Sequence, residues 1–193
     1  MRWLMSVKHY FLDTDVIFNF SITLVRAEVN FTGFKHEDYK IITTRVISNE
    51  TDGLFDKIKK NKIQRHTNIN DNQLKLYIKT WKKLKKDIHI FNSDTTYGIS
   101  KNLGEKTLID GFNNYKGKNR FIVSNNKKDI LKFGDSIIES DILTPFEFYE
   151  NFLHNLGLKY KNILQFMIIS NEDLRVNNLA SLGNIVNNYR LKF

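Results

Sequence analysis

The stretch KHYFLDTDVIFNF, Lys8 to Phe20, decides how this chain is read. The apolar run Tyr10-Phe11-Leu12 stops at two carboxylates, Asp13 and Asp15, with Thr14 between them, and apolar residues resume at Val16. Such a run bounded by polar residues reads as a short buried strand. Acids just past its end stand where open α/β sheets bind ligands, beyond the carboxyl ends of the strands. The same residues also suit a simpler task, because Asp is a good capping residue for a following turn or helix.

Working outward, YKIITT (Tyr39 to Thr44) has the β-branched bias of a second strand. From Arg45 onward Val46, Ile47, Glu50, Leu54 and Ile58 fall at helical spacing, and a further amphipathic helix is expected near Leu74 to Lys86, with Leu74, Ile78, Trp81 and Leu84 on one side. RFIVS (Arg120 to Ser124) reads as a strand covered on both faces. SDILT (Ser140 to Thr144) reads as another short strand, leading into a helix start in which Thr144 caps, Pro145 takes the first helical position and Glu147 completes a capping box. Strands alternating with helices predict an α/β fold with a mainly parallel central sheet. The simplest partition is a domain over residues 1–155 and a helical C-terminal extension over 156–193.

The 193 residues suffice for one substantial core, and 41% hydrophobic composition marks a globular chain. No apolar run approaches the roughly 20 residues of a membrane span, and the N-terminus lacks a signal-type apolar stretch. A cytoplasmic protein without membrane association is the expectation. The absence of cysteine excludes disulfides and thiolate zinc sites. The five histidines are scattered, with no helical i, i+4 pair to hold a metal. A formal charge of +9 favours a polyanionic partner.

Carboxylates gathered where water can enter repel one another unless a cation compensates them, and hard ions such as Mg²⁺ or Mn²⁺ prefer oxygen ligands. FLDTDVIFN resembles the opening of PIN-domain nucleases, whose first strand ends in Asp-Thr-Asn or Asp-Thr-Asp. In IITTRVISNETDGL (Ile41 to Leu54), Glu50 fills the slot of that family's inward-facing helical glutamate. In FIVSNNKKDILKFGDSIIESDILTPFEFYENF, Ser124, Asn126, Asp129, Pro145 and Phe148 fall in order on the family's closing motifs. The resemblance covers about Lys8 to Phe152. It implies a three-layer α/β/α fold and metal-dependent hydrolysis of RNA, with DNA the less favoured substrate. It also implies Mg²⁺ or Mn²⁺ held by Asp13, Glu50 and a third acid at the start of the helix before FIVSNN. Glu105 of Gly104-Glu105 is the first choice for that acid, ahead of Asp110 and Asp94. Asn126 and Asp129 would complete the catalytic rim and Asp15 support the turn. Many family members carry Asp where this chain has Asn126, which removes one negative charge.

The stretch Lys57 to Asp87 concentrates positive charge. Lys75, Lys79, Lys82, Lys83 and Lys86 lie largely away from the apolar stripe of its helix, and are read as a phosphate-tracking face beside the acids, with Tyr77 or Trp81 available for base stacking. A solvated lysine face over a core-facing Trp81 is the plainer reading, and the favoured one for Trp81 itself. Resemblance to toxin-type PIN ribonucleases implies a homodimer and an inhibitory antitoxin partner. In the extension Leu174, Leu179, Leu182, Ile185, Val186 and Tyr189 repeat at helical period, suited to covering the core, extending a dimer interface or binding a partner. Two other classes stay open. One is a degenerate PIN-like nucleic-acid-binding module. The other is a haloacid-dehalogenase-type phosphatase with Asp13 as nucleophile and late acids in GDSIIESD (Gly134 to Asp141).

Overall fold

The structure is a computed structural model that describes residues 7–29, 37–60, 70–92 and 102–174. Asp94, residues 61–69 of the basic stretch, and the apolar repeat from Leu179 to Tyr189 lie outside the described residues.

The strands are β1 (Lys8–Leu12), β2 (Tyr39–Thr44), β3 (His89–Phe91), β4 (Arg120–Val123) and β5 (Ile142–Leu143). They form one five-stranded sheet in the order β3-β2-β1-β4-β5, with every pairing parallel. The helices are α1 (Thr14–Arg26), α2 (Arg45–Lys59), α3 (Asp71–Lys85), α4 (Leu103–Asn114), α5 (Lys127–Phe133), α6 (Pro145–Asn155) and α7 (Tyr160–Leu174). The α/β class and the parallel sheet are as the alternation predicts. Ser140–Thr144 is shorter as a strand than read: a 3-10 turn over Glu139–Asp141 takes its start, leaving only Ile142–Leu143 paired to β4.

The order reverses at β1, which pairs with β2 on one side and β4 on the other. Its register, Tyr10 opposite Ile41 and Phe121, Phe11 opposite Ile42 and Ile122, brings the ends of β1 and β4 level, and the Asp13 amide donates to the Val123 carbonyl. Alternation along a strand sends neighbours to opposite faces. Tyr10 therefore packs on Phe148 of α6, while Phe11 packs on Phe112 of α4 and on Tyr115. Both sides of β1 are covered, which is why the strand reads as an unbroken apolar run.

Helix α1 is enclosed nearly all round: Val16, Ile17, Asn19, Phe20, Ser21, Ile22, Thr23 and Leu24 are all buried. Its polar interior is satisfied by a network. Asn19 donates to the Ser170 carbonyl and accepts from the hydroxyls of Ser170 (2.6 Å) and Tyr149 (2.7 Å). These bonds tie α1 to α6 and α7. The described part of the C-terminal extension thus covers the core, with Ile163, Phe166 and Met167 fully buried. The start of α6 is as read: Thr144 caps Glu147, Glu147 returns to the Thr144 amide, and Pro145 holds the first position.

Helix α3 packs against α2 through Trp81, whose indole N–H donates to Asp52 (2.6 Å) while Lys85 pairs with the other oxygen of that carboxylate. Trp81 and Tyr77 are 2% and 3% exposed: Trp81 faces the core, as the favoured reading has it, and neither ring is available to stack on a base, which corrects the stacking expectation for Tyr77. Among the described residues no helix is long and apolar enough to cross a membrane.

Candidate functional site

The ends of β1 and β4, the face of α2 from Glu50 to Lys57 and the first turn of α4 surround a cleft of about 450 Å³ lined by Asp13, Thr14, Asp15, Glu50, Glu105 and Asn126, with Lys57 among its further lining residues. It lies beside the topological switch between β1 and β4, the place where open parallel sheets take ligands. Four of the five predicted catalytic residues, Asp13, Glu50, Glu105 and Asn126, therefore meet from four separate stretches of chain.

Asp13 stands at the end of β1 as the residue that caps α1. Its Oδ1 accepts from the Thr14 amide (2.7 Å) and its Oδ2 from the Ser124 hydroxyl (2.6 Å). Ser124 is buried at the end of β4 and accepts in turn from the Asn126 amide (2.9 Å). Burial pushes the Asp13 carboxyl up to about 6, with the like charges of Asp15 and Glu105 adding to the rise and the two hydrogen bonds opposing it. The capping reading of Asp13 is realised, and the same carboxylate lines the cleft.

Glu50 lies on the first two turns of α2, and its Oε2 accepts from the Thr14 hydroxyl (2.7 Å). The carboxylate rests against the first turn of α4 so closely that a Cβ at Gly104 would stand 3.0 Å from that oxygen. An anion at a helix N-terminus is favoured by the macrodipole and unpaired amides. Gly104 is what allows the approach. Glu105 follows in the same turn, and the Asn126 side-chain amide donates to it (3.3 Å) and to Asp129 (2.6 Å). Asp129, the fifth predicted catalytic residue, does not line the cleft but holds Asn126 from the first turn of α5.

The oxygen-only donor set of Asp13, Glu50, Glu105 and the Asn126 side chain fits a hard divalent cation. The rise of the Asp13 carboxyl comes first from its burial, with the negative charges of Asp15 and Glu105 a smaller addition. As the side chains stand, no three acidic or histidine groups among the described residues are placed to hold one ion. Each carboxylate is occupied by a protein donor: Ser124 and Thr14 at Asp13, Thr14 at Glu50, Asn126 at Glu105.

Other expected residues lie elsewhere. Asp110 accepts from the Asn114 side chain, one turn on along α4. Asp141 caps the Ile138 amide, and neither it nor Asp135 lines the cleft, so the late acids of the phosphatase reading do not meet Asp13. Lys75, Lys79, Lys82, Lys83 and Lys86 are exposed on α3 around Ile78. None lines the acidic cleft. Lys79 and Lys83 flank Val25 and Glu28, past the far end of α1 from Asp13. Counting 1.5 Å per residue along α1, that is about 20 Å away.

Thr14 and Gly104 give no periodic signal as site residues. Lys57, which opens the basic stretch, is placed by spacing: Glu50, Gly53, Leu54 and Lys57 follow the i, i+3, i+4, i+7 rule of one helix face, and all four line the cleft. No protein-family model, no curated protein and no solved structure matches the chain.

Proposed function

We propose that the protein is a metal-dependent endoribonuclease with a PIN-like three-layer fold. The observation that carries this reading is the meeting of Asp13, Glu50, Glu105 and Asn126 in one cleft at the reversal of a parallel sheet. Their order along the chain is that of the PIN-type motifs they resemble.

Asp13, Glu50 and Glu105 would hold Mg²⁺ or Mn²⁺, which when bound supplies charge neutralisation and water activation for phosphodiester hydrolysis. The rest is the work of the chain. Ser124 and the Thr14 amide fix both oxygens of Asp13 at the strand end, so its direction is set before a ligand arrives. Thr14 and the first turn of α4 hold Glu50 on the opposite side. Asn126 spends its N–H₂ group on Glu105 and Asp129, which orients both acids and leaves its carbonyl oxygen to accept from water or substrate. The net charge of +9 draws a polyanion toward a cleft whose own acids would repel it.

The test is cleavage of single-stranded and structured RNA with Mn²⁺ or with chelator, alongside calorimetric titration of Mn²⁺. Cleavage is expected only with the ion, and Asp13→Asn is expected to abolish it together with most of the Mn²⁺ affinity. Equal cleavage under chelation, or an unchanged Asp13→Asn protein, would overturn the reading. RNA binding without Mn²⁺ binding would instead identify a binding module in which the existing hydrogen bonds keep the acids apart.

A further inference from the structure

We infer that the face of α2 from Glu50 across Gly53 to Lys57 is a subsite for the RNA backbone, in which Lys57 holds a phosphate flanking the scissile one. This rests on the nuclease reading for the word scissile, but its binding chemistry stands separately.

Among the described residues lining the acidic cleft, Lys57 is the one cation, and it is exposed. It lies seven residues beyond Glu50 on the same helix face, about 10 Å along the axis. That separation is too long for Glu50 and Lys57 to serve a single phosphate around one ion. It suits a chain that presents one phosphate to the acids and another to the ammonium, and so selects a polynucleotide over a phosphomonoester or a single nucleotide. A lysine in the last turn also complements the helix dipole, which would explain its charge but not what lies between.

Between the two stands Gly53. It sits in the middle of α2, where glycine is the poorest helix former after proline. Packing does not require it: a Cβ there would meet no atom within 4 Å. The contrast with Gly104, where a Cβ would crowd Glu50 at 3.0 Å, is direct. Gly53 keeps its stretch of helix bare on the side open to the cleft, so a sugar-phosphate chain can lie against α2 on its way from the acids to Lys57. On the other side of the same turns Thr51, Phe55 and Ile58 are buried in the core, so it is the bare face that α2 turns to the cleft.

The experiment uses the full chain and a labelled single-stranded oligoribonucleotide, with binding followed by fluorescence anisotropy in chelator across a salt series. Lys57→Ala is expected to weaken binding about fivefold at low salt, and to lower the slope of log affinity against log salt by about 0.7, the value for one phosphate contact on a single strand. Lys57→Arg is expected to keep the slope. Lys59→Ala removes an equal charge from the same last turn but outside the cleft, and is expected to leave the slope as it is. Gly53→Ala is expected to raise the melting temperature by a few degrees while weakening RNA binding. Lys57→Ala indistinguishable from Lys59→Ala, or Gly53→Ala more stable with RNA affinity intact, would overturn the subsite. A protein that binds RNA through Lys57 yet never cleaves with Mn²⁺ upholds the subsite and removes the nuclease reading. Cleavage indifferent to Lys57 does the reverse.

Discussion

Asp13 carries the largest electrostatic cost at the site. Its carboxyl is raised to about 6 by burial and then by Asp15 and Glu105, above the roughly 3.9 of an unfolded chain. The folded state therefore holds the proton more tightly than the unfolded state does. Its stability contribution is complete below the unfolded value and is lost as pH rises through about 6. Asp13→Asn removes this dependence. In metal-free protein the variant is expected to be more stable than wild type by on the order of 1 kcal/mol above pH 6, because Asn keeps a capping oxygen but not the charge that burial disfavours. The gap should close below about pH 4, and thermal melts across that range measure it. Gly104→Ala acts on the neighbouring acid. A methyl 3.0 Å from the Glu50 oxygen displaces the carboxylate, so Mn²⁺ affinity should fall on the order of tenfold, with the fold intact by circular dichroism.

Elements hold these residues in place through a few polar anchors inside an aromatic core. The anchor of α7 is Asn19, buried on α1 and bonded to Ser170 and Tyr149. Asn19→Ala removes the acceptor that the Ser170 and Tyr149 hydroxyls share and the donor to the Ser170 carbonyl, leaving Tyr149 its longer bond to the Val16 carbonyl (3.3 Å), and is expected to cost about 2–3 kcal/mol in urea denaturation. Leu, the apolar residue nearest in size, should do no better, because it replaces neither the acceptor nor the donor. The helix α6 start depends on Thr144, and Thr144→Ala is expected to cost about 1 kcal/mol in the same measurement. These anchors were partly legible. Thr144-Pro145-Phe146-Glu147 announces its cap locally, since every partner lies within one turn. Asn19 inside VIFNFSITLV gives no such sign, because its partners stand 130 and 151 residues away.

At the scale of the molecule, charge and mass divide unevenly. The acidic cleft and Lys79 and Lys83 of α3 stand about a helix α1 length apart, roughly 20 Å, rather than side by side. An RNA engaging both must bridge that span. Lys79→Glu with Lys83→Glu is expected to reduce the salt slope of RNA binding by at least about 1.4 without changing the Mn²⁺ affinity of the cleft, as read by anisotropy and calorimetry. The core likewise crosses the boundary expected at residue 155. Ile163, Phe166 and Met167 of α7 are fully buried, each contributing about 1.5–3 kcal/mol, which together rivals a typical net stability of about 5–15 kcal/mol. A chain ending at Asn155 is expected to lose cooperative unfolding.

By itself the sequence determined the class: apolar runs ending in polar residues, and helical periods between them, already required an α/β sheet with acids at its strand ends, because burial pattern and capping act over a few residues. Only the tertiary structure decided which distant groups meet. The pairing of β1 with both β2 and β4 brings Asp13 to Ser124 across 111 residues. The missing Cβ of Gly104 lets Glu50 reach the same cleft, and Asp52 of α2 meets the indole N–H of Trp81. Those outcomes depend on strand order and on space between elements, and neither is written in any short stretch of chain.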